Sequence, residues 1–248
     1  MMARTTRARL AHAGRGAGLW LVCAAVGTLA VIGPTAAMEN GMIGYSGKDL
    51  FTCTQCHSDG VRPTVRFDGP AEVQAGEAVP YSFIVQSRSQ NQLYAGLDVA
   101  ASDGTLEVAP TEDDGQIESG ELTHLTPKKV DENLVATWSF IWQAPATPGT
   151  ATLYGAGLSA NGNGTTSGDQ PASTRLVITV TPAPPPGDAN CDGRLSAADV
   201  VGIAALITGA AANTCDLADA DCSGTVDADD IPVVIASLFD PAIHPPCP

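Results

Sequence analysis

The chain has 248 residues, a formal net charge of −15 at pH 7, 44% hydrophobic residues and 16% charged ones. Acidity on this scale excludes partners recognised through their negative charge, namely nucleic acid and anionic membrane surfaces. The length suffices for one or two domains of ordinary size.

Residues 1–37 read as a signal peptide. Arg4, Arg7, Arg9 and Arg15 form a basic stretch, Leu19 to Ile32 an apolar one, and Thr35-Ala36-Ala37 a small-residue cleavage site. The apolar run is shorter than the ~20 residues of a membrane span and Pro34 ends it, so no span is expected after signal removal. Cleavage near Met38 removes four of the twelve basic residues and no acidic ones, taking the net charge from −15 to −19. The expected location is outside the cytoplasm: extracellular, cell-surface or periplasmic. Six cysteines then remain: Cys53, Cys56, Cys191, Cys215, Cys222 and Cys247. An even number in an exported chain favours covalent use, as disulfides or cofactor attachments.

Residues 38–62 are Gly-rich and contain Cys53-Thr54-Gln55-Cys56-His57. This is the pattern of covalent c-type haem attachment, in which two thiols add across the haem vinyl groups and the adjacent histidine ligates the iron. A redox dithiol, a structural disulfide and metal binding are the alternatives. A thioredoxin-like dithiol is excluded, because no βαβ pattern surrounds the motif. The segment is too short to enclose a haem, so the neighbouring domain must supply the rest of the site. His124, at the end of a predicted strand, is the expected distal ligand, with Met42 next in order and a surface histidine as its plain reading. Lys128 and Lys129 are candidate partners for haem propionates.

Residues 63–181 read as β. Short alternating or β-branched runs predict strands at Thr64–Phe67, Val79–Ser87, Leu97–Ala101, Ile117–Thr123, Val135–Trp142, Thr150–Leu158 and Leu176–Val180. Seven strands without an amphipathic helix fit an immunoglobulin-like sandwich. No cysteine is present to bridge its sheets, so apolar burial must hold them. Trp138 and Trp142 lie four apart, on one face of a strand, and are expected core anchors. Glu112-Asp113-Asp114 reads as a solvated turn, and Asn161 to Asp169 as a polar hairpin loop.

Residues 182–186 form a Pro-rich, extended linker. Residues 187–248 then carry two copies of one loop. In the first, Asp188, Asn190, Asp192, Ser196 and Asp199 place side-chain oxygens at positions 1, 3, 5, 9 and 12; in the second, Asp219, Asp221, Ser223, Asp227 and Asp230 do so. Arg194 and Thr225 occupy position 7, where the carbonyl is the ligand, and Gly193 and Gly224 occupy position 6. Calcium, a hard cation taking six to eight oxygens, needs this layout, so two calcium ions are expected. Ala198 to Thr208 and Ile231 to Phe239 are predicted helices leaving the loops. Val200, Ile203, Ala204 and Ile207 fall at helical spacing, as do Ile231, Val234, Ile235 and Leu238.

Residues 187–240 resemble a type I dockerin domain, with two F-hand repeats ending in Asp at position 12. The resemblance implies calcium-dependent folding and docking onto a cohesin-like or other protein. Positions 10 and 11 are Ala197-Ala198 and Ala228-Asp229, which departs from the hydroxyl pair of cellulosomal members. Cys191 and Cys222 at position 4 are a second departure, and their spacing to Cys215 and Cys247 suggests one bridge per repeat. Residues 40–180, with Ala95-Gly96-Leu97-Asp98-Val99, Gly120-Glu121-Leu122-Thr123-His124 and Tyr154-Gly155-Ala156-Gly157, resemble bacterial exported proteins with Reeler-like domains.

The fold expected is mainly β: an immunoglobulin-like β-sandwich followed by a small α-helical, dockerin-like paired F-hand domain. The function expected is non-catalytic: a calcium-dependent docking tail joined to a sandwich carrying a single c-type haem (haem c) for electron transfer with a redox partner. The alternatives are a non-catalytic component of an extracellular polysaccharide-degrading assembly, with polysaccharide as ligand, and a structural or adhesive surface protein without haem.

Overall fold

Two β-sheets face each other across an aromatic core in the computed structural model, which describes residues 38–211 and 216–240. The readings made for residues 1–37, Cys215 and Cys247 lie outside the described residues. The strands are β1 (Ser58–Asp59), β2 (Thr64–Asp68), β3 (Glu72–Gln74), β4 (Ala78–Gln86), β5 (Tyr94–Ala101) and β6 (Thr105–Val108). They continue with β7 (Gly115–Glu118), β8 (Glu121–His124), β9 (Lys128–Lys129), β10 (Val135–Gln143), β11 (Gly149–Ala160) and β12 (Ser167–Thr181). One sheet runs β1-β12-β11-β5-β8-β7, with β3 also pairing β12 and β9 also pairing β5; the other runs β2-β4-β10-β6.

Alternation along β4 and β10 sends every second residue inward. Val79, Tyr81, Phe83 and Val85 of β4 meet Trp138, Phe140 and Trp142 of β10, all buried. Tyr81 stacks on Phe140 with ring centres 5.9 Å apart and meets Trp142 edge-on at 6.1 Å. The facing sheet supplies Leu97 and Val99 of β5, Leu153 of β11, and Ile178 and Val180 of β12. Both tryptophans are fully buried, as their spacing predicts.

The structure departs from the sequence reading in several places. The run Ile117–Thr123 is two strands, because Ser119 and Gly120 both take positive φ and turn the chain back as a hairpin. The last strand begins nine residues before Leu176, since β11 pairs with it from Val180 back to Gln170. Glu112 is not solvated: it accepts from Lys128 Nζ at 2.6 Å and from Ser139 N at 3.0 Å, with its side chain 6% exposed. Lys128 is thereby committed, its Nζ also 5.0 Å above the Trp138 ring.

The C-terminal helices are α1 (Ala197–Ile207) and α2 (Asp230–Phe239). Each starts where a loop ends. Ser196 caps α1 through a capping box with Asp199. Ile203 and Val234 are fully buried and pack with Ala218 and Ala220, whereas Ile207, Ile235 and Leu238 face outward, so the apolar stripe is narrower than their spacing suggests. Among the described residues no helix is long and apolar enough to cross a membrane.

Candidate functional site

The Cys-x-x-Cys-His segment is folded as one 3-10 turn over Cys53–Gln55. Thr52 caps it, and Cys56 N and His57 N both donate to Cys53 O, at 3.3 and 3.1 Å. Positions i and i+3 of such a turn eclipse, which puts the two sulfurs on one side. Both thiols are free. Burial, then the nearby Asp98 carboxyl, pushes the Cys53 thiol up to about 12. A thiol held protonated is a poor nucleophile at neutral pH, whereas Cys56 beside it is exposed.

His57 follows the turn and leads into β1, which pairs parallel with β12. That pairing sets the imidazole beside Asp169: Nδ1 lies 2.9 Å from Oδ2. Asp169 is buried, and its other oxygen accepts from Asn161 N at 2.8 Å. Facing a carboxylate that only accepts, Nδ1 carries the hydrogen and Nε2 keeps its lone pair, the tautomer of a metal-ligating histidine.

His124 ends β8 and is half-buried beside β5. Its Nδ1 lies 3.2 Å from Leu97 N and 3.3 Å from Leu97 O. Gly96 makes room for the ring, since a Cβ there would sit 2.7 Å from His124 Cε1. Burial lowers the His124 pKa and so favours the neutral ring; a hydrogen bond to Leu97 opposes the shift and the nearby His57 adds to it.

Cys53, Cys56, His57 and His124 all line one cavity of about 480 Å³. Its walls come from Met38, Met42 and Tyr45 of the leading segment, from Tyr94 to Leu97 of β5, from Leu158 and Ala160 of β11, and from the 162–166 loop. Neither Lys128 nor Lys129 is among them. The volume is that of a pocket for a sizeable organic ligand. Two thiols and two imidazoles around such a space suit a planar cofactor bonded through sulfur and ligated through nitrogen. Among the described residues, only Asp219, Asp221 and Asp230 bring three metal-ligating atoms within 4.8 Å of one another.

The leading segment is fastened to the sandwich by polar groups that spacing does not reveal, two of them, Asp98 and Gln92, buried. Asp98 Oδ2 accepts from Tyr45 N at 2.6 Å, and Glu121 Oε2 accepts from Gly44 N at 2.6 Å. Gln92 accepts from Val61 N at 2.9 Å and donates to Ser159 O at 2.8 Å. Burial raises the Asp98 pKa to about 8; the Tyr45 N–H opposes this and the Glu121 carboxyl adds to it. Asp98 Oδ1 has no hydrogen-bond partner among the described residues.

The two C-terminal loops repeat one hydrogen-bond pattern. Asp188 accepts from Asp192 N at 3.1 Å and Gly193 N at 2.7 Å, and Asp219 accepts from Ser223 N and Gly224 N at the same distances. Asp199 accepts from Ser196 N, and Asp230 from Asp227 N, both at 2.7 Å. Position 6 has φ of 82° at Gly193 and 90° at Gly224, where a side chain would be strained. The remaining oxygen positions, Asn190, Ser196, Asp221, Ser223 and Asp227, sit on the same loops, with the position-7 carbonyls of Arg194 and Thr225. Asp188, Asp199 and Asp230 are fully buried. Cys191 and Cys222 are disulfide-bonded.

No protein-family model matches the chain, and no curated protein matches it. Solved structures with some similarity include a cohesin module from a Clostridium perfringens family 33 glycoside hydrolase, at 13% identity and TM-score 0.35, covering 49% of this chain and 98% of that one. A CARDB domain from Pyrococcus furiosus is 15% identical at TM-score 0.27, covering 50% and 94%. The chitin-binding domain of a Pyrococcus furiosus chitinase is 18% identical at TM-score 0.26, covering 39% and 89%.

Proposed function

We propose that this is an exported, non-catalytic protein that carries one covalently attached c-type haem on its β-sandwich and a calcium-dependent docking module at its C-terminus. The observation that carries the haem reading is the convergence of Cys53, Cys56, His57 and His124 on one cavity. Cys53 and Cys56 would hold the macrocycle through thioether bonds, and His57, oriented by Asp169, would ligate the iron from the proximal side. Bound there, the haem supplies one-electron redox chemistry. The chain supplies the rest: it fixes the His57 ring, places His124 within the same cavity, and walls the site with Met42, Leu97 and Leu158.

The docking reading rests on two loops with matching carboxylate patterns and on the Asp219, Asp221 and Asp230 cluster. The carboxylates crowded at the oxygen positions of each loop, three in the first and four in the second, repel one another without a cation, so folding and calcium binding are coupled. The partner would be a cohesin-like or other docking protein, recognised through the exposed faces of α1 and α2.

Co-expression with a haem-attachment system tests the haem reading. A haem-stained band under denaturing conditions, with a matching mass increase, is expected. A colourless protein of unmodified mass would return the site to a plain disulfide or structural segment.

A further inference from the structure

Hydrogen-bond accounting decides which nitrogen of His124 holds the proton. Between β5 and β8, paired residues run from Asp98 with Thr123 to Val99 with Leu122, and the pairing of β5 with β9 covers Tyr94 and Ala95. Leu97 is next in line, but its natural partner, the His124 carbonyl, instead accepts from Gly41 N at 3.0 Å and Gln116 Nε2 at 3.2 Å. Leu97 N–H turns to His124 Nδ1 at 3.2 Å. Leu97 O accepts from the Thr123 hydroxyl at 2.9 Å and so does not depend on His124, whose Nδ1 lies 3.3 Å from it.

A proton on Nδ1 would set two N–H groups against each other and leave Leu97 N–H without that acceptor. A lone pair on Nδ1 satisfies Leu97 N–H, while Thr123 satisfies Leu97 O. The proton of the neutral ring then sits on Nε2. His57 has the reverse arrangement, because Asp169 holds its hydrogen on Nδ1.

We infer that His124 is a hydrogen-bond donor into the haem cavity and not an iron ligand, leaving an open iron position for a diatomic molecule whose outer atom accepts a hydrogen bond. This rests on the haem reading above and assigns His124 a role other than the distal ligand that the sequence leads one to expect. Only one of the two histidines is in the ligating tautomer. The site therefore suits ligand binding more than electron transfer through a closed, two-histidine iron.

Two measurements test it. In haem-free, nitrogen-15-labelled protein, long-range proton–nitrogen correlation should show His124 protonated at Nε2 and unprotonated at Nδ1; the opposite tautomer would overturn the inference. In haem-loaded protein, the ferric spectrum should be high-spin and shift on adding cyanide. His124→Ala should keep the covalent haem and the spin state while weakening cyanide binding by about tenfold, the worth of one hydrogen bond. His124→Gln, which retains a donor, should recover most of that loss. A low-spin protein that turns high-spin in His124→Ala would make His124 a ligand and sink the idea. Failure to attach haem would sink the proposed function instead, with the tautomer measurement still deciding the role of His124.

Discussion

His57 and Asp169 are 112 residues apart in the chain, and their side chains meet with Nδ1 2.9 Å from Oδ2. A carboxylate behind the ring makes the imidazole more electron-rich and favours the ferric over the ferrous state of an iron it ligates. Asp169→Asn keeps the shape and a neutral acceptor. The reduction midpoint of the haem-loaded variant should rise, by about 59 mV for each tenfold loss of ferric preference. Spectroelectrochemical titration reads this directly, and an unchanged midpoint would reduce Asp169 to a structural group.

Asp98 makes the stability pH-dependent. The unfolded carboxyl gives up its proton near pH ~4, whereas burial and Glu121 hold it in the folded protein up to about 8. Between those values the folded state binds the extra proton. Stability is therefore full below about pH 4 and declines as pH rises towards about 8. In Asp98→Asn, the amide oxygen can still accept from Tyr45 N and its nitrogen can donate to Glu121. Denaturant midpoints at pH 5 and pH 8 should differ clearly in the parent protein and much less in this variant.

Calcium should bind at two sites in the full chain, and calorimetric titration should return that stoichiometry. Asp188→Ala and Asp219→Ala should each remove one site, since each carboxylate also ties down its own loop through two backbone N–H groups. Thermal stability of the helical module should rise with free calcium and fall in chelator. Equal melting in both would argue against calcium loops.

The two core tryptophans should respond differently to the same change. Replacing either with Ala should cost about 3–5 kcal/mol. Trp142 Nε1 donates to Asp103 O at 3.0 Å, whereas Trp138 Nε1 has no hydrogen-bond partner among the described residues. Trp142→Phe strands a carbonyl and should cost about 1 kcal/mol more than Trp138→Phe, which removes an unsatisfied donor. Chemical denaturation of the two Phe variants compares them.

Local chemistry was legible in the sequence and long-range chemistry was not. The Cys53–His57 motif and both oxygen-rich loops declare themselves because their groups lie within twelve residues and share one backbone turn. Strands β4, β5, β10 and β11 could be read because buried and exposed residues alternate or β-branched residues crowd together. The first half of β12, from Ser167 to Arg175, is polar and has no such signal; it is a strand because β11 and β1 pair with it. Asp169 looked like part of a loop for the same reason. The hairpin at Ser119-Gly120 was hidden inside an apparently continuous run. No spacing rule could have joined Asp98 to Tyr45 or Gln92 to Val61, since those contacts exist only once the sheet has formed.

Residues 38–62 contribute nothing to the hydrophobic core, whose first members are Val65 and Val73. They are held instead by backbone N–H groups reaching side chains and edges on β5, β8, β12 and the loop before β5. The sandwich can therefore complete its folding with the cysteine-bearing arm still undocked. An arm in that state is an accessible substrate for the machinery that joins a prosthetic group to sulfur. If a group is attached there, docking afterwards would close the arm over it, an order of assembly that follows from where the apolar residues begin.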